Sequence, residues 1–141
     1  MGTPRLTPLI FLLVLLAACS DPAAPGDGWA REPGRLMPEL SSIQVLQMPT
    51  QARAGTAFEI TVTTVGSSSC TRPDGATVSV SGLVADVTPW DRIAPEGTAC
   101  TDDLHPFPRA ATVRFDTPGS ALIRLHGSGG LVYEASLTVV P

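Results

Sequence analysis

From residue 41 onward, apolar and polar residues alternate with a period of two. In "AFEITVTTV", Phe58, Ile60 and Val62 alternate with Glu59, Thr61 and Thr63, the pattern of a strand with one buried and one wet face. "ATVSVSG" repeats it with Val78 and Val80, and "ATVRFD" with Val113 and Phe115. In "SALIRLHG", Ala121, Ile123 and Leu125 share one face while Arg124 and His126 lie on the other. The final "LVYEASLTVV" sets Leu131, Tyr133, Ala135, Leu137 and Val139 against Glu134, Ser136 and Thr138. "SIQVLQM" at 42–48 and "LVADVT" at 83–88 complete a set of about seven strands. Turn signals separate them: Ala54-Gly55, Pro73-Asp74-Gly75, Pro118-Gly119 and Ser128-Gly129-Gly130. No stretch has helical periodicity. Short strands with regular turns over about 100 residues predict an all-β, two-sheet sandwich.

The chain begins differently. Arg5 precedes an unbroken apolar run from Leu9 to Leu16, followed by Ala17, Ala18 and Cys19. A positive start, a short greasy run and small residues have the form of an export signal. A run this short does not cross a hydrocarbon core, which takes about 20 residues of helix.

Leu16-Ala17-Ala18-Cys19 resembles the lipobox of bacterial lipoproteins. The resemblance implies that residues 1–18 are a signal peptide cut before Cys19, and that the Cys19 thiol carries a diacylglycerol. The new amino terminus would then be acylated, as by palmitate. Two or three acyl chains make a stable anchor where one does not. Ser20 after the cysteine, with Asp21 one position later, leans by the same resemblance towards the outer membrane if the cell is Gram-negative.

With the signal removed, 123 of the 141 residues remain, carrying eight basic and 13 acidic residues, a net charge near −5. No basic run suggests nucleic acid, and a weakly acidic domain has little attraction for anionic lipid headgroups. All nine basic residues are arginine. The three cysteines form an odd set, and lipidation of Cys19 leaves Cys70 and Cys100 as a pair. An exported pair meets an oxidising compartment, where a disulfide is the default. Residues 19–40, rich in proline and glycine, read as the lipidated cysteine and a tether, and 41–141 as the folded domain. Trp29 is the odd residue of the tether, expected to pack on its own domain or to sit at the membrane interface.

"RAGTAFEITVTTVG" resembles the second strand of bacterial immunoglobulin-like domains, and "VRFDTPGSALIRLHG" a hairpin near their end. The resemblance implies an immunoglobulin-like sandwich and brings no catalytic residues with it. Residues 88–109, "TPWDRIAPEGTACTDDLHPFPR", depart from the pattern as a long proline-rich excursion. A structureless loop this long in a compact domain is usually either functional or mis-assigned, and Cys100 would pin this one to Cys70.

The excursion therefore holds the candidate partner contacts: Trp90, Arg92, His105 and Phe107. Trp90 is expected to cap the core, with partner contact as the alternative. Asp91, Glu96, Asp102 and Asp103 could offer hard oxygen ligands to calcium, but EF-hand spacing is absent. A zinc or copper site could draw on His105, His126 and the two thiols, without the usual ligand spacings. No G-x-S-x-G elbow is present, and "GSGG" at 127–130 is a hairpin turn rather than a phosphate cradle. The expected function is that of a lipid-anchored, non-enzymatic binding, accessory or structural module, without a cofactor. Its expected partners are the membrane, through the anchor, and an envelope protein. The alternative is a periplasmic metal- or small-ligand-binding domain using the acidic and histidine groups of 88–109.

Overall fold

A computed structural model describes Gly2 and residues 27–141. The expected signal peptide, Cys19 and the start of the expected tether lie outside the described residues. Nine strands follow in order: β1 (Ala30–Pro33), β2 (Leu46–Gln47), β3 (Gln51–Arg53), β4 (Phe58–Gly66), β5 (Thr71–Ser81), β6 (Val84–Ile93), β7 (His105–Val113), β8 (Gly119–His126) and β9 (Val132–Val140). They form two sheets. The larger runs β1-β6-β8-β9-β3 with β5 on the other side of β6, and the smaller runs β2-β4-β7. Most pairs are antiparallel, but β3–β9 and β6–β8 are parallel.

The inward positions of both sheets meet in one core. Ile60 and Val62 of β4 and Ala111 and Val113 of β7 face Ala85 and Val87 of β6, Ala121, Ile123 and Leu125 of β8, and Leu137 and Val139 of β9. Full burial of each large aliphatic side chain contributes about 1.5–3 kcal/mol relative to exposure. The two-residue alternation in the sequence is thus the pleat of a sandwich with a largely apolar core. The Cys70–Cys100 disulfide is present and ties the start of β5 to the β6–β7 loop.

Several local expectations are corrected. The segment after β7 is no hairpin: residues 114–118 cross from the smaller sheet to the larger, with Phe115 buried at the crossing. A core aromatic in the connection favours an arch between layers over a turn within one. Pro73-Asp74-Gly75 is not a turn but an irregularity inside β5, where the register to β6 shifts between Pro73 and Ala76. The strand expected at 42–48 is only the two residues of β2. Half of the 88–109 excursion is strand, because β6 continues to Ile93 and β7 begins at His105; 94–104 is loop. The fold also starts inside the expected tether, where β1 pairs with β6. The Ser128–Gly130 turn does join β8 to β9, with Gly129 and Gly130 at positive φ, where a side chain would be strained.

Candidate binding face

Along β6, Ala85, Val87, Pro89 and Asp91 point inward, so Asp86, Thr88, Trp90 and Arg92 point out. Trp90 therefore does not cap the core; one step of the pleat puts it on the outer face of the larger sheet. Pairing then assembles what no stretch of sequence contains. Arg31 of β1 and Arg72 of β5 both lie opposite Arg92 of β6, which makes a cross-strand row of three arginines.

Like charges set opposite one another on a sheet repel. The row is held by aromatic faces and carboxylates. The Arg72 guanidinium lies 3.7 Å from the centre of the Trp29 ring, and that of Arg31 lies 4.4 Å from Trp90. Arg31 pairs with Asp74 at 2.7 Å and Arg92 with Asp27 at 2.8 Å. Among the described residues, Arg72 has no carboxylate within ion-pair distance. The Trp90 indole N–H donates to Thr77 Oγ1 at 3.1 Å. The Arg31 and Arg92 side chains remain 48% and 40% exposed, so the face is structured yet open to a ligand. Both tryptophans of the chain belong to it. The stacking of Trp29 fits the expectation that it packs on its own domain.

His105 and Phe107 are not part of this face. Their rings meet at 4.9 Å on β7, in the smaller sheet, opposite Gly66 and Thr64 of β4. The four candidate contacts thus split between two sheets, since the excursion that seemed to join them is two strands and a loop.

The acidic candidates are each otherwise engaged or solvated. Asp91 is buried and pairs at 2.6 Å with Arg109, which reaches across from β7. The same guanidinium donates to Thr64 Oγ1 and to the Trp90 carbonyl. Arg109 is the buried polar residue that the sequence reading missed. Its signal was available, because in "HPFPRAATV" it shares parity with Phe107, Ala111 and Val113.

Asp103 accepts from the Thr101 hydroxyl at 2.6 Å and the Ser68 N–H at 3.0 Å, which hold its pKa down to about 2. Asp102 and Glu96 are exposed. Among the described residues no three His, Cys, Asp or Glu side chains gather as a metal site would require.

Elsewhere on the outer face, His126 meets Asp86 at 2.7 Å and Arg124 lies 3.2 Å from the same oxygen. A shallow depression of about 160 Å³ is bordered by Pro38, Ile43, Gln44, Val45, Leu46 and Tyr133. Comparison with family models, curated proteins and solved structures finds no match to this chain.

Proposed function

We propose that the chain is a lipid-anchored, non-enzymatic binding module, accessory or structural, held at a bacterial membrane surface. Its contact is the outward Trp–Arg face. The observation that carries the reading is that face: two tryptophans and three arginines, brought together from three strands and the residue before the first of them, and left partly exposed. Tryptophan and arginine are the residues most enriched where binding energy concentrates. The anchor is supported by Leu16-Ala17-Ala18-Cys19, and Ser20 favours the outer membrane in a Gram-negative cell. The non-enzymatic reading is supported by the two imidazoles, which lie on different sheets, His105 against a phenyl ring and His126 against Asp86.

A photo-cross-linking phenylalanine analogue tests the face in living cells. Placed at Thr88, beside Trp90 on the outer face, it should give one adduct of defined mass. The same analogue at Thr112, an exposed position on the smaller sheet, should give none. Cys19→Ala should abolish the adduct by releasing the chain from the surface. Equal labelling from both positions, or an adduct indifferent to the anchor, contradicts the proposal.

A further inference from the structure

We infer that the Trp–Arg face takes the anionic headgroups of the membrane from which the chain hangs, which rests on the reading of Cys19 as the lipid anchor. The first argument is position. Seven residues lie between Cys19 and Asp27, so the eight Cα–Cα steps of the connection span at most about 28 Å when fully extended. Asp27 is itself fixed to Arg92 at 2.8 Å, which places the arrival of the tether on the arginine row. Among the described residues that follow Cys19, no other surface is nearer along the chain to the anchor.

The second argument is chemistry. A guanidinium stacked on an indole uses its flat face, and its in-plane N–H donors stay available for a phosphate oxygen. Arg72 is the clearest case, because it stacks on Trp29 and has no carboxylate partner among the described residues. Tryptophan rings settle at the headgroup level of bilayers, and arginine stems lie along apolar surface with the charge in water.

The third argument is charge. The mature chain is acidic, near −5, yet three of its eight arginines stand in this row against two carboxylates, Asp27 and Asp74. Net charge led to an expectation of little attraction for anionic lipid. The uneven distribution reverses that expectation locally and turns this face, rather than the acidic remainder, towards the bilayer. Anchoring makes the encounter intramolecular, so a weak patch suffices to orient the domain.

Because both tryptophans lie on the face, their fluorescence reads it directly. The mature protein, extracted from cell membranes, is reconstituted into vesicles of phosphatidylcholine alone or mixed with phosphatidylglycerol. Acrylamide quenching of tryptophan emission should fall about twofold in the mixed vesicles, as expected for a few arginines near an anionic surface. Added salt, and separately Arg72→Glu, should erase the difference. Quenching that is equal in the two vesicle types, or a difference that survives both salt and Arg72→Glu, overturns the inference. The anchor is common to both arms, so a null result counts against the face and not against Cys19, whose acylation the mass of the N-terminal peptide reports. A protein adduct at Thr88 together with equal quenching would keep the binding module and assign its face to a protein instead.

Discussion

Arg109 and Asp91 face each other across the gap between the sheets, with side chains only 6% and 1% exposed. Two charges taken out of water lose several kcal/mol of hydration each, and their attraction offsets this only when both are present. Thr64 Oγ1 and the carbonyl of Trp90 accept further donors of the guanidinium, and Gly34 leaves the space in which the carboxylate sits. A Cβ at Gly34 would overlap both Thr64 and Asp91. Asp91→Leu alone should therefore lower unfolding free energy by about 3–5 kcal/mol, since it strands a buried cation. Asp91→Leu with Arg109→Leu should recover most of that loss, as read from urea unfolding. A double variant as unstable as the sum of the two single ones would show that the two charges act independently and not as a pair. The parity that buries Asp91 also sets Trp90 and Arg92 outside. Strand alternation made both placements legible in principle. The prolines of residues 88–109 make that segment look like loop, where parity has no meaning.

At the scale of strands, prolines explain the misreading. Pro106 and Pro108 lack an N–H and argue against a central strand, yet β7 is an edge of the smaller sheet, where one side needs no donors. Pro89 sits in β6 between the residues paired with β8 and those paired with β1. Chain composition shows the prolines but not which edges are free, and β1 could not be read at all from "AREP". Strands β4, β8 and β9, by contrast, follow the alternation closely, while Val80 of β5 is exposed, and the disulfide joins the two cysteines left once Cys19 is set apart. That bridge closes a loop of 30 residues around the β5–β6 hairpin. Replacing both cysteines by serine should cost about 3.5 kcal/mol, the chain-entropy value for such a loop. An unchanged urea midpoint would mean that the Ser67–Ser69, Thr101 and Asp103 hydrogen bonds hold the 94–104 segment without it.

Over the whole molecule, the arginine row lies where the chain first enters the sandwich, at Asp27 and β1, which is the end of the fold nearest in sequence to the proposed anchor at Cys19. The fold class was legible from local patterns. The face was not, because Arg31, Arg72 and Arg92 are far apart in sequence and become neighbours only through the β1–β6 and β5–β6 registers. No basic run marks the face, and the net charge of the chain does not show it.

The central claim is that this sandwich works at the end of a lipid anchor. The mass of the N-terminal tryptic peptide from the membrane fraction tests it most directly. The account predicts a peptide that begins at Cys19, ends at Arg31 and carries a diacylglyceryl group and an amide-linked acyl chain. A peptide that begins elsewhere, or one in which Cys19 is a free thiol, would contradict it.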